Sequence, residues 1–334
     1  MTTITATKRL PDATRPLDAA TAAEAFADIL DGRVDDDDVS AFLVAMTLRD
    51  ETSTEIAAAA QAMRDRMIRV EAPAGAIDVC GTGGDGSHSL NISTAVAIVV
   101  AACGIPVAKH GNRAASSKAG AADTLEALGL DLDRASKRAE ASLDEVGIAF
   151  LFAQKHHPAL GRLAPIRRAI GRRTILNLLG PLANPAGVTR QLIGVARVDY
   201  LTTVGAALER LGTEGSMLVS GEESLDEFSI ARASRVLRVG PGAADFHVTP
   251  EDAGLPRHGL DAIRGGDPAY NAAALIDLLD GKPSAYRDAV LLNTAGALIV
   301  AGRATEWADG ARIAAEAIDG GAGRDLLARW VAFR

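Results

Sequence analysis

The chain has 334 residues, 48% of them hydrophobic and 23% charged, the make-up of a globular protein with room for one large or two unequal domains. Its 35 basic and 43 acidic residues leave a net charge of −8, which opposes non-specific binding to nucleic acid, so any anionic ligand has to be captured locally. The longest apolar run, residues 95–108, is 14 residues long and contains Gly104 and Pro106, too short for a bilayer; no signal-peptide pattern opens the sequence, and Cys80 and Cys103 make neither a disulfide framework nor a metal site, so a cytoplasmic setting without a membrane partner is expected.

In chain order, helical periodicity comes first, over 19–30, 39–48 and 54–67, with polar breaks at Gly32 and Asp50. Asp35-Asp36-Asp37-Asp38 stands just ahead of the second helix, where negative charge complements the helix dipole, and reads as a solvated helix start. The texture changes near Pro73. Beyond it, strand-like apolar runs at 77–80, 105–108, 148–152, 192–195 and 217–219 alternate with helical stretches, the pattern of a parallel sheet. Alanine-rich helices over 270–279, 285–301, 306–318 and 324–333 would cover the sheet and close the chain. The expected fold class is α/β, with a small N-terminal helical domain and a larger α/β domain whose central sheet is mostly parallel and covered by helices.

The first strand runs into Cys80-Gly81-Thr82-Gly83-Gly84-Asp85-Gly86 and then Ser87-His88-Ser89-Leu90-Asn91-Ile92-Ser93-Thr94, a glycine-rich turn followed by a helix start capped by Asn91 or Ser93. The backbone can approach a ligand there, and the N–H groups of the helix end favour an anion. Gly81, Gly83 and Gly86 also fit the spacing of a dinucleotide fingerprint, but that site needs an acidic residue after the second strand, where this chain has Lys109-His110. A P-loop fails as well, because Gly86 is followed by Ser87 and His88. A second polar cluster, from Lys109 through Ser117, again separates an apolar run from a helix, so the ligand is expected to carry two phosphate groups.

Three further features stay open on the residues alone. Asp226-Glu227 follows a strand and is either surface polarity or a carboxylate pair able to share a hydrated Mg²⁺. Arg167 is either a solvated helix arginine or a clamp for a carboxylate. His156 and His157 are either a polar pocket wall or capping and core histidines.

Four blocks taken together, 81–86, 91–94, 109–117 and 177–185, resemble the anthranilate phosphoribosyltransferase family, and the likeness spans nearly the whole chain. The resemblance implies transfer of the phosphoribosyl group of phosphoribosyl pyrophosphate to the amine of anthranilate, in tryptophan biosynthesis. It implies that Gly81, Gly84, Asp85, Ser89, Asn91, Ile92, Ser93 and Thr94, with Lys109, His110, Gly111, Asn112, Arg113, Ala114, Ala115, Ser116, Ser117 and Ala121, surround the substrates. Gly81, Asn112 and Arg167 would face anthranilate, with His110 and His157 lining the same tunnel, and Lys109, His110, Asn112 and Arg167 would serve the chemistry. Ser93, Asp226 and Glu227 would be ligands of Mg²⁺, two ions per site. The implied fold is nucleoside phosphorylase/phosphoribosyltransferase-like: a helical domain over 1–74, completed by a return near 164–190, and an α/β domain over 75–163 and 191–334, with a homodimer formed through the helical domain.

The chain departs from the family pattern after Glu227, where Phe228-Ser229-Ile230-Ala231-Arg232-Ala233-Ser234 replaces a Gly-Pro-Thr-like turn, and at Ala121, which stands where relatives commonly have serine. An aromatic amine is neutral near pH 7, so stabilising the departing pyrophosphate should dominate catalysis, with a histidine or water taking the amine proton. A pyrimidine nucleoside phosphorylase-like enzyme would share the architecture but leave Asp226-Glu227 with Arg167 unexplained. A nucleic-acid-binding relative without activity should be basic.

Overall fold

The computed structural model of the protein describes residues 8–114 and 118–334. Three helices open it, α1 (Ala19–Leu30), α2 (Asp36–Leu48) and α3 (Ser53–Arg64). The chain then runs β1 (Ile77–Gly81), α4 (Ile92–Ala102), β2 (Val107–Gly111), α5 (Ala121–Ala127), α6 (Leu132–Lys137), α7 (Ala139–Glu145) and β3 (Ile148–Phe152). Short helices α8 (Ala153–His156), α9 (Pro158–Gly161) and α10 (Leu163–Ile170) lead back to β4 (Arg190–Gly194), α11 (Leu201–Arg210) and β5 (Gly215–Gly221). Strands β6 (Ser234–Val239) and β7 (Ala244–Val248) precede α12 (Pro268–Leu279), α13 (Ala285–Val300), α14 (Trp307–Asp319) and α15 (Ala322–Ala332).

Local chemistry accounts for the helix starts. Asp18 caps α1 by accepting from the Thr21 N–H, and Thr52 with Glu55 forms a reciprocal capping box on α3. The helix expected from residue 39 begins three residues earlier, so Asp35 stands at its N-cap position and Asp36, Asp37 and Asp38 occupy the first turn, where their charge meets the positive end of the dipole.

The strands form one seven-stranded sheet in the order β3-β2-β1-β4-β5-β6-β7. The pairs from β3 to β5 are parallel, and β6 and β7 are antiparallel additions at one edge. Both faces of the parallel part are covered, which is why its strands read as unbroken apolar runs. Leu192, Met217 and Val219 enter a core with α4 and α12 to α15, while Ile193 and Leu218 turn to a second core with α1, α2, α3 and α11. Leu163, Ile166, Ile175, Leu176 and Leu179 join that second core, so the segment after α9 packs beside the three opening helices.

Two expectations about the strands need correction. The second strand lies at 107–111 rather than 105–108, because Pro106 has no N–H to give to a ladder; Lys109 and His110 therefore sit within the strand, not after it. Strands β6 and β7 escaped the pattern because Arg235, Asp245 and His247 on one face and Arg238 on the other interrupt their apolar residues at this edge of the sheet. Among the described residues no helix is long and apolar enough to cross a membrane.

Candidate functional site

The sheet changes direction at β1: the chain goes out through β2 and β3, then returns to lay β4 on the other side of β1. The carboxyl ends of two such strands frame the crevice where ligands of open α/β sheets bind. Here β1 ends at Gly81 and β4 at Gly194, and the backbone of Asp226 lies across both. A Cβ on Gly194 would come within 1.5 Å of the Asp226 carbonyl oxygen, and one on Gly81 within 2.4 Å of Asp226 Oδ2. Neither glycine is there for flexibility; both make room for one acidic residue.

The loop beyond β1 wraps this carboxylate. The Gly83 N–H donates to Asp226 Oδ2 at 2.7 Å, and Gly83 and Gly84 take left-handed φ values of +69° and +71°. Arg173, from the turn after α10, donates through Nη1 to the Gly83 and Gly84 carbonyl oxygens at 2.8 and 2.9 Å. Asp85 Oδ1 accepts from the Ser87 N–H, while its Oδ2 is buried with no partner among the described residues. Ser89 pairs with Arg264 in an isolated antiparallel bridge, which ties the loop to the chain ahead of α12.

Glu227 Oε1 accepts from the Ser93 N–H in the first turn of α4, at 3.2 Å, and Ser93 Oγ accepts from Lys109 Nζ at the same distance. Lys109 is buried and also donates to the Val79 carbonyl at 2.7 Å. Desolvation and the neighbouring Asp85 charge push Asp226 up to about 7. Burial, then the charge of Asp226, also raises Glu227, while burial lowers Lys109 against the opposing pull of Asp78. The Asp226 and Glu227 carboxylates, with the unpartnered Oδ2 of Asp85 in the loop around them, offer oxygen donors alone, which suits a hard divalent cation such as Mg²⁺. Among the described residues no three His, Cys, Asp or Glu side chains form a ready-made cage, so a bound ion would keep other oxygens from water or substrate.

Asn91 stands at the N-cap position of α4, but its side chain makes no capping bond. Its Oδ1 accepts from Thr124 Oγ1 and Asn271 Nδ2 and its Nδ2 donates to the Ala119 carbonyl, so it ties α4 to α5 and α12 instead. Ser93 does not cap either, being inside the helix. Ile92 and Thr94 are buried, and Thr94 Oγ1 has no partner among the described residues.

Alternation along β2 sends Lys109 and His110 to opposite faces. His110 Nδ1 lies 2.9 Å from the Gly180 carbonyl, which can only accept, so the proton is assigned to Nδ1 and Nε2 is left as an acceptor with no partner among the described residues. The His157 ring lies 5.0 Å away, and its Nε2 likewise has no partner among the described residues. Burial lowers His110 to about 3 and His157 to about 4, so both rings are neutral at pH 7. His156 points elsewhere, its Nδ1 donating to the Ile68 carbonyl.

The second loop is braced by its own helix. Gly111 lies against Phe150, the Asn112 carbonyl accepts from the Ala122 N–H, and Asp123 receives the N–H groups of Ala114 and Gly120. Arg113, expected at a phosphate, bonds to Asp123 and Glu126 on α5. Ala121 begins that helix. Ala115, Ser116 and Ser117 lie outside the described residues. On α10, Arg167 is half-buried with no hydrogen bond or ion pair from its side chain among the described residues, and burial lowers its pKa. A cation left without a partner in a partly desolvated place suits an anionic ligand. Arg232, from the departing stretch after Glu227, turns to Glu223.

Several residues of the site carried no readable pattern. Asp78 is fully buried between β1 and β2, accepting from the His110 N–H at 3.1 Å and Asn184 Nδ2 at 2.8 Å, and Asn184 also donates to the Ala108 carbonyl. These bonds stand where a ladder would continue: β1 and β2 pair at Ile77 and Val107 alone, whereas β1 and β4 pair through Gly81. Gly194, Arg173, Thr124 and Asn271 are further examples, distant in sequence from the blocks that they serve.

A helical unit stands beside a two-sided α/β sheet with a glycine loop and a carboxylate pair at the switch point, and the class is that of the glycosyl transferases: residues 74–324 match the α/β domain of the glycosyl transferase family and residues 5–67 its helical bundle domain. The chain is 59% identical over 324 residues to the anthranilate phosphoribosyltransferase of Novosphingobium aromaticivorans, covering 97% of this chain and 98% of that one. It is 60% identical over 325 residues to that of Sphingopyxis alaskensis, at the same coverage. The chain belongs to the anthranilate phosphoribosyltransferase family. Its fold is similar to the crystal structure of the Thermus thermophilus enzyme, with a TM-score of 0.91, 42% identity and 96% of each chain covered. It is also similar to the Saccharomyces cerevisiae enzyme in complex with PRPP and Mg, with a TM-score of 0.87, 27% identity, and 95% of this chain and 93% of that one covered.

Proposed function

We propose that this chain transfers the phosphoribosyl group of phosphoribosyl pyrophosphate to the amine of anthranilate, giving N-(5-phosphoribosyl)anthranilate and pyrophosphate, with Mg²⁺. The observation that carries the reading is the convergence of Asp226 and Glu227 on the glycine loop and the first turn of α4, with Lys109 joined to them through Ser93. The yeast relative's complex with PRPP and Mg supports the substrate and the metal.

The reaction forms a bond from the amine nitrogen to ribose C1 and breaks the bond from C1 to the pyrophosphate oxygen, which leaves with the electron pair. The amine loses a proton. Loop N–H groups and Lys109 would bind and orient the departing pyrophosphate in a partly dry site, where each such contact counts for more than in water. Arg167, half-buried and without an ion pair among the described residues, would hold the anthranilate carboxylate. The neutral rings of His110 and His157, each with a free Nε2, would line the acceptor pocket and offer an acceptor for the proton. Asp226, Glu227 and Ser93 would hold Mg²⁺, two ions per site, which when bound neutralises charge on the pyrophosphate. Gly81, Gly84, Asp85, Ser89, Asn91, Asn112 and Ala114 would complete the substrate surface. The division into a helical domain of 1–74 with a return near 164–190 and an α/β domain of 75–163 and 191–334, a homodimer through the helical domain and a cytoplasmic setting belong to the same reading.

The test is Asp226→Ala combined with Glu227→Ala, followed by anthranilate fluorescence. Turnover should fall by at least about a hundredfold, as expected when several kcal/mol of charge stabilisation is lost. Circular dichroism should stay that of the parent. Activity within about threefold of the parent would overturn the assignment.

A further inference from the structure

The glycine loop is gripped from outside by Arg173, which lies between α10 and the turn Ile175–Asn177. Peptide units are planar and trans, so turning the Gly83 carbonyl toward Arg173 turns the Gly84 N–H the opposite way. The Gly84 carbonyl and the Asp85 N–H are related in the same manner. Neither N–H has an acceptor within the protein among the described residues, whereas the preceding one, on Gly83, is taken by Asp226 Oδ2. Two consecutive free amides on one side of a loop are the donors an anionic oxygen needs.

Gly84 carries a second mark of this arrangement. A Cβ there would approach Arg173 Nη1 to 2.7 Å, so a side chain would push the guanidinium off the two carbonyls, and the φ of +71° itself favours glycine. Arg173 is half-buried, and its side chain makes no ion pair among the described residues. Among the described residues its side chain bonds to the two carbonyls alone.

We propose that Arg173 is a positioning residue that sets two peptide planes of the glycine loop, so that the N–H groups of Gly84 and Asp85 face the pyrophosphate. Because Arg173 follows directly on the helix carrying Arg167, it also links the pyrophosphate end of the site to the segment that would hold the acceptor. The inference rests on the reading of the glycine loop as the pyrophosphate site.

The experiment compares the parent with R173A and R173K in steady-state kinetics, each substrate varied in turn, and in inhibition by added pyrophosphate with Mg²⁺ held constant. In R173A the KM for phosphoribosyl pyrophosphate and the inhibition constant of pyrophosphate should both rise about tenfold, with kcat within about threefold and the KM for anthranilate unchanged. R173K still donates to carbonyls and should recover much of the loss; it also carries the test should R173A fail to fold. Values for R173A within about twofold of the parent would overturn the proposal, as would a fall in kcat alone or no recovery in R173K. A loss that disappears at high salt would instead mark a direct charge contact with phosphate and overturn the positioning role. The parent's own saturation by phosphoribosyl pyrophosphate and competition by pyrophosphate check the underlying reading separately: failure there condemns the site, whereas a response confined to the parent and unaltered in the variants condemns only Arg173.

Discussion

Arg167 shows how little of a residue's surroundings is written next to it in the chain. It sits on α10 among other basic residues, Arg162 and Arg168, and Arg162 is committed to the Ile29 and Val34 carbonyls and Asp36. What separates Arg167 is partial burial without a side-chain partner among the described residues, a property of the fold alone. Replacing it with alanine should raise the KM for anthranilate at least about tenfold, the worth of a charge-assisted bond of roughly 1.5–3 kcal/mol, and leave the KM for phosphoribosyl pyrophosphate within about twofold. Kinetics with each substrate varied in turn decide this; a change limited to phosphoribosyl pyrophosphate would put the arginine at the wrong end of the site. The glycine-rich turn at 81 to 86 was legible because its residue types and order are chemically unusual. Asp78 and Asn184 were not, since one carboxylate and one amide separated by a hundred residues of chain leave no local pattern.

Among the elements, the parallel strands were readable wherever both faces are apolar, as in β3, whose residues are all buried. Where charged residues interrupt both faces of an edge strand, as in β6, or one face of a mostly exposed one, as in β7, periodicity over five or six residues is too short to separate from a loop. The end of β4 makes a sharper statement. Gly194→Ala drives a methyl group into the Asp226 carbonyl, so the acidic loop has to move. We expect a stability loss of about 1–3 kcal/mol in urea unfolding, the usual penalty for overpacking, and a drop in kcat/KM of at least about tenfold. Gly215→Ala is the control, since a Cβ there meets nothing within 4 Å. Equal behaviour of the two variants would remove the steric reason for Gly194.

For the molecule as a whole, buried titratable groups make stability depend on pH in opposing ways. His157 has a folded pKa of about 4 against an ordinary 6.5, so its neutral ring contributes stability that is complete above pH 6.5 and is lost as pH falls toward 4. Asp226 and Glu227, whose folded pKa values are raised, act in the reverse sense and favour the folded state as pH falls. The net slope is therefore a poor guide, and a difference between variants is better. The cost of His157→Asn, measured by denaturant unfolding, should shrink on going from pH 6.5 to 4 by up to about 3 kcal/mol. A cost that is constant over this range, or that grows, would show that the ring is not held neutral. The helical unit, the sheet and their order along the chain could be read ahead of the fold. Which side of each strand faces which core could not, because strands buried on both faces have no polar side to orient them.

The buried side chains between β1 and β2 have a geometric consequence. Elsewhere in the parallel sheet the distance between neighbouring strands is dictated by backbone hydrogen bonds and is the same for every sequence, about 4.8 Å. Past Ile77 and Val107 that rule lapses, and the spacing is set by an aspartate, an asparagine and a lysine acting as shims. The two loops that leave these strands are thereby held at a span the side chains dictate, and lengthening or shortening a shim would retune the width of the opening without altering either loop.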